Sequence, residues 1–253
     1  MAGRVPVIAG NWKLFKTAAE GAAFVVELSH RVGRVQGVEV VVAPPFIGLD
    51  AAMRATEGSV ITVASQNVFW EEKGAFTGEV APGMLKSLGV RWAIIGHSER
   101  RQIFGETDDE VARKTRAALD AGLLPIVCVG ESEAEREQGL TEERLAAQLD
   151  LGLALVTAPE AHRVVVAYEP VWAIGTGKTA TPEMAEDACA FVRTRLAAIW
   201  GEAEAASVRI LYGGSMKPEN ARELMAQPDI DGGLVGGASL EVGSFAGIVE
   251  QSR

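Results

Sequence analysis

Cysteine is almost absent from this chain of 253 residues, occurring only at Cys128 and Cys189. Two thiols make neither a disulfide framework nor a paired-cysteine metal signature. No run approaches the roughly 18 uninterrupted apolar residues of a membrane span. The first eleven residues lack a long apolar core with a cleavage site, so no signal peptide is expected. Basic charge is also short, with 24 Lys and Arg against 34 Asp and Glu and a net charge of −10. That balance argues against a general nucleic-acid or anionic-membrane binder, whose footprint is a basic surface. A local anion site stays open, because backbone amides can build one without net charge. No Pro/Ser-rich linker or charge block marks a domain boundary, so residues 1–253 read as a single domain. What is there is 48% hydrophobic and 23% charged, ordinary globular usage. Glycine is plentiful, with 28 residues. A soluble, cytoplasmic, enzyme-sized protein is expected.

Short β-branched runs alternate with longer helical patterns from end to end. Candidate strands lie at 5–9, 38–43, 60–64, 92–95, 124–129, 164–168, 209–212 and 233–235. Their starts are about 33 residues apart, the spacing of βα units. Most are apolar throughout, which suits parallel strands covered on both faces. Thr17 with Glu20 and Thr107 with Glu110 match capping boxes, and Thr181 before Pro182 reads as a helix cap. Ala185, Cys189, Val192, Leu196 and Ile199 form one apolar stripe, and Leu145, Leu149, Leu153 and Val156 another. Eight units without a break predict an α/β fold closed into a (β/α)8 barrel. A doubly wound open sheet is the alternative, since periodicity does not show closure.

In such a barrel the active site forms at the C-terminal strand ends, with phosphate often held after strands seven and eight. Those positions carry Gly10-Asn11-Trp12-Lys13, Gly96-His97-Ser98-Glu99, Glu169-Pro170, Gly213-Gly214-Ser215 and Gly236-Gly237-Ala238-Ser239. One glycine pair is more simply a tight turn. Two pairs on adjacent terminal loops point instead to amides turned on one anion, aided by helix starts near Lys217-Pro218 and Ser239-Leu240. Neither segment matches a dinucleotide or P-loop motif. Glu169 ends an apolar strand, where desolvation would raise its proton affinity toward that of a useful base; a salt-bridged residue is the plain alternative. A lone histidine is more often structural, but a helix starting after His97 would keep its imidazole neutral and donating. Lys13 is aimed into the mouth by its place after strand one. Residues 173–178, small and flanked by Pro170 and Thr179-Ala180, look like a lid. Cys128 and Cys189 read as buried thiols, and the acidic stretch 131–137 as a solvated surface.

Four segments together are specific. Ala9-Gly10-Asn11-Trp12-Lys13, Ile95-Gly96-His97-Ser98-Glu99-Arg100-Arg101, the run 168–178 and Tyr212-Gly213-Gly214-Ser215 closely resemble motifs of the triosephosphate isomerase family. They occur in order, and Cys128-Val129-Gly130-Glu131 joins them. The resemblance implies a TIM barrel that interconverts dihydroxyacetone phosphate and D-glyceraldehyde 3-phosphate through an enediolate, a step of glycolysis and gluconeogenesis, with no cofactor or metal. By the same resemblance Glu169 is the base and His97 the electrophile. Lys13 offsets negative charge, Asn11 orients substrate, and Glu99 supports them. The amides of Gly175, Ser215, Gly236 and Gly237 would bind phosphate. The loop from Gln66-Asn67 to Glu79 resembles a dimer loop, so a homodimer is implied, with Thr77 reaching Asn11 and Lys13 of the partner subunit. Leu14-Phe15 stands where Met-Asn is frequent and Ser65 where Ala often precedes Gln66, departures that touch the interface rather than the chemistry. A sugar-phosphate epimerase would share the glycine pairs but usually lacks the run 168–178 and the Asn11/Lys13 pair. A barrel kept only as a scaffold would show damaged catalytic positions. Aldolase chemistry on a metal is disfavoured because the histidines have no ligand spacing.

Overall fold

The computed structural model describes residues 3–173 and 180–253. Eight parallel strands follow one another around a closed barrel: β1 (Val7–Asn11), β2 (Glu39–Ala43), β3 (Ile61–Ser65), β4 (Trp92–Ile95), β5 (Leu124–Val129), β6 (Val165–Tyr168), β7 (Arg209–Tyr212) and β8 (Gly232–Val235). The open-sheet alternative falls because β1 pairs with β8, from Val7 opposite Gly232 to Gly10 opposite Val235. The seam needs its glycine. At Gly232, with φ +144°, a Cβ would stand 2.0 Å from the Val7 carbonyl oxygen.

The apolar strands serve two cores at once. On one parity Val7, Ala9, Val41, Ala43, Ala64, Trp92, Ile94, Ile126, Cys128, Val165, Ala167, Leu211 and Leu234 fill the barrel. On the other, Ile8, Val40, Val42, Ile61, Val63, Val127, Val166 and Ile210 meet the helices outside. This is why alternation is missing from the sequence: both faces of every strand are dry. The helices carry the expected signals. Both predicted capping boxes form, Thr181 caps helix Pro182–Trp200 by accepting from the Met184 N–H at 3.2 Å, and both leucine-rich and cysteine-bearing stripes are turned inward. No helix among the described residues is long and apolar enough to cross a membrane.

Two expectations are corrected. The first strand runs 7–11, two residues later than its apolar run suggests, because pairing with β2 carries the backbone through Gly10 and Asn11 to Ala43. The last helix starts at Val242; Ser239 and Leu240 belong to a separate 3₁₀ turn, Gly237–Leu240.

Candidate active site

The barrel's parity places the site. Val7 and Ala9 point inward on β1, so Asn11 is the next inward position; Val165 and Ala167 do the same for Glu169 beyond β6. The equivalent places above β7 and β8 are Gly213, where a Cβ would stand 2.8 Å from Glu169 Cγ, and Gly236, where the nearest atom would be Lys13 Cε at 3.6 Å. The result is a cavity of about 1050 Å³ at the C-terminal mouth, lined by Asn11, Lys13, His97, Glu169, Ser215, Gly236 and Gly237 among others. Seven of the sequence-predicted groups therefore meet in one space.

Glu169 is 2% exposed and both its oxygens are engaged. Oε1 lies 3.0 Å from His97 Nε2 and accepts from the Ser98 hydroxyl at 3.3 Å; Oε2 accepts from the Ser98 N–H at 2.9 Å. Burial alone pushes this carboxyl up, as the sequence suggested. Contact reverses the sign: the His97 imidazole and the Ser98 N–H hold it below the ordinary carboxylate range. The expected rise in proton affinity is thus corrected for this arrangement. Ser98 was not singled out in the sequence, though a serine at the first position of helix Ser98–Phe104 offers a free N–H for an anion.

His97 caps that helix, its Nδ1 accepting from the Glu99 N–H at 3.2 Å. The ring hydrogen therefore sits on Nε2, facing Glu169 and the cavity. Burial lowers the affinity of His97 for a second proton, but the Glu169 carboxylate outweighs it and the net shift is upward. The helix end fixes the tautomer as expected, while the neighbouring charge pulls against neutrality.

Lys13 is left-handed, with φ +51°. Its N–H donates to Asn11 Oδ1 at 3.0 Å, and the Gln66 amide donates to the carbonyls of Lys13 and Ala43, both at 2.8 Å. Gln66, which the sequence places in the loop resembling a dimer contact, thus braces the strained residue from behind. The Lys13 ammonium reaches Glu99 Oε1 at 2.7 Å, so Glu99 stands beside the cavity as the cation's partner.

None of the four glycines after β7 and β8 has a positive φ, so none is required by a left-handed backbone, and Gly236 accepts from the Ser239 N–H at 2.8 Å in the turn after β8. Gly214 is there for space: a Cβ would fall 2.2 Å from Tyr212 Oη and 2.9 Å from Pro170 Cγ. At Gly237 the opposite holds, with nothing within 4 Å, so this backbone faces open cavity. Helix Pro218–Met225 begins beside the same space, as predicted.

Thr77 is exposed on its loop and does not line the cavity of its own chain. Gly175 and most of the expected lid lie outside the described residues; Ala173 is described and lines the cavity. Glu131 corrects the reading of 131–137 as solvated. It is fully buried, accepting from Tyr168 Oη at 3.1 Å, Trp172 Nε1 at 2.9 Å and Arg136 at 3.2 Å. Both cysteines are buried, and burial pushes both thiols up.

With this geometry in place, the comparisons are consistent in direction. Residues 6–252 match the model of the family described as triosephosphate isomerase. The triosephosphate isomerase of Carboxydothermus hydrogenoformans is 55% identical over 249 residues, 98% of this chain and 99% of that one. That of Trichlorobacter lovleyi is 56% identical over 246 residues, 97% and 98% of the two chains. That of Moorella thermoacetica is 56% identical over 250 residues, 99% of this chain and 100% of its own.

Proposed function

The chain belongs to the triosephosphate isomerase family, and from that premise we propose how its residues carry the reaction. It is an isomerase of triose phosphates, interconverting dihydroxyacetone phosphate and D-glyceraldehyde 3-phosphate. The two compounds are isomers, so protons move but no electrons leave.

Glu169 takes a proton from the carbon beside the carbonyl and returns it to the neighbouring carbon. Such a proton is weakly acidic, and its removal becomes feasible only where donors set in advance meet the developing oxyanion. His97 Nε2–H is that donor, and it passes protons between the two enediolate oxygens. Substrate entering between Glu169 and His97 would exchange the 3.0 Å contact for one with its own carbonyl. That also removes the carboxylate that raises the His97 pKa, leaving burial and the helix end to keep the imidazole neutral. To reach carbon, Glu169 has to release Ser98. Lys13, steered by Glu99, offsets charge on phosphate and enediolate, and Asn11 orients the substrate. The amides of Ser215, Gly236 and Gly237, with Gly175, hold the phosphate. The family resemblance assigns residues 173–178 to a lid that would keep water from the enediolate, and of these only Ala173 lies within the described residues.

We read residues 1–253 as one cytoplasmic domain acting as a homodimer. Single exposed apolar side chains mean little. Here Leu14 (93% exposed), Phe15, Ile47 (80%), Phe76, Ile103 (71%) and Phe104 fall on the loops and short helices after β1 to β4, one sector of one rim. A second copy covering that sector would bring Thr77 to Asn11 and Lys13 of the partner subunit.

The observation that carries this reading is the bonded His97–Glu169 pair in a cavity also lined by the backbone of Gly236 and Gly237. Its test is turnover of D-glyceraldehyde 3-phosphate in D2O with no metal or nucleotide added. Dihydroxyacetone phosphate should form with deuterium entering at carbon. A folded protein that forms none would leave the scaffold reading in its place.

A further inference from the structure

Lys16 is held more firmly than a surface lysine. Its backbone is left-handed at φ +69°, a conformation L side chains rarely keep without surrounding support. Its ammonium donates to the Leu240 carbonyl at 2.8 Å and stands 4.6 Å from the centre of the Phe24 ring and 5.6 Å from that of Trp12. Those rings meet edge to face at 5.0 Å, and Trp12 is fully buried. The cation is thus fixed by two ring faces and by a carbonyl 224 residues away in the chain.

Leu240 ends the turn Gly237–Leu240, and the other end of that turn, with Gly236, opens on the cavity. A helical turn presents positive N–H groups at its start and negative carbonyls at its finish. A phosphate would sit at the start. Lys16 sits at the finish. Three residues before Lys16 is Lys13, whose stem lies 3.6 Å from the position a Gly236 Cβ would take.

We propose that Lys16 is a positioning residue for substrate phosphate: it clamps the phosphate-facing turn after β8 onto the β1 loop, so that the amides of Gly236 and Gly237 and the ammonium of Lys13 meet the anion in one fixed geometry. This rests on the isomerase reading above and adds to it a residue that touches no substrate.

Lys16→Met keeps a hydrocarbon stem against Phe24 and Trp12 but offers Leu240 no donor; Lys16→Arg keeps a donor. The variants are compared with the parent for kcat, KM for D-glyceraldehyde 3-phosphate, inhibition by inorganic phosphate, and thermal midpoint. In Lys16→Met the KM and the phosphate inhibition constant should each rise about tenfold while kcat stays within about twofold, and Lys16→Arg should regain most of the loss. Unchanged phosphate inhibition in Lys16→Met overturns the proposal. So does a fall in kcat and thermal midpoint with KM preserved, or an Arg variant no better than Met. A parent that neither turns over triose phosphate nor binds phosphate overturns the isomerase reading together with this one.

Discussion

His97 and Glu169 are bonded to one another, Nε2 standing 3.0 Å from Oε1, while Ser98 takes the second carboxylate oxygen through its N–H at 2.9 Å. Each buried group offsets the other's desolvation. The pair therefore keeps the Glu169 carboxylate ionised.

That coupling has a thermodynamic consequence. The folded pKa of His97 is raised above its ordinary value of 6.5 by Glu169. A raised folded pKa contributes stability that is fully present below the unfolded value and lost as pH rises through the folded one. In Glu169→Gln the carboxylate is gone and burial pushes His97 down instead. Lowering the pH from about 8.5 to about 5.5 should then stabilise the parent relative to Glu169→Gln. Thermal midpoints of both proteins across that window check the sign. A difference that stays flat or runs the other way would mean the contact is not made in solution.

Glu131 offers a test of a carboxylate buried away from the cavity lining. Glu131→Leu takes the acceptor from the Tyr168 hydroxyl inside the core, and should cost about 2–3 kcal/mol in urea unfolding. Glu131→Gln, which keeps an acceptor, should lose less. Equal stability of the Leu variant and the parent would refute the assignment.

Most of the barrel was legible because its strands and caps are local signals. The runs at 92–95, 124–129 and 209–212 match β4, β5 and β7 to the residue, and Thr17 and Thr107 cap where their spacing says they should. Closure was legible only through the count of eight units and not through periodicity, since the pairing of Val7 with Gly232 spans the whole chain. Asn11, Lys13, His97 and Glu169 could be found from their places after strands. The sign of the Glu169 shift could not, because it depends on Ser98 and His97 folding back from another strand. Glu131 misled for a similar reason: it opens an acidic stretch, but Tyr168 and Trp172 close over it from β6 and the segment after it.

The two kinds of glycine in the site should separate on substitution. Gly214→Ala forces a methyl group against Tyr212 and Pro170, and should cost about 1–3 kcal/mol of stability. Gly237→Ala meets nothing within 4 Å. Its thermal midpoint should stay near the parent's while inhibition by inorganic phosphate weakens. If Gly237→Ala unfolds easily and still binds phosphate normally, the cradle has been misplaced.

The exposed sector of the rim can be tested without disturbing the fold. Ile103 is 71% exposed in the single chain, so Ile103→Glu should leave each chain folded. Sedimentation should find dimers for the parent and monomers for the variant, with specific activity falling alongside. Fully active monomers would remove Thr77 from the site.

The most direct test of the central claim is the turnover of Glu169→Gln beside the parent, in a coupled assay on D-glyceraldehyde 3-phosphate. Gln keeps the shape and can still accept from His97 and Ser98, but it cannot take a proton from carbon. In Glu169→Gln kcat should fall by about 10²–10⁴-fold or more with the fold intact by circular dichroism. A folded Glu169→Gln enzyme within about tenfold of the parent would show that another group is the base, and the proton-transfer scheme built on Glu169 would be wrong.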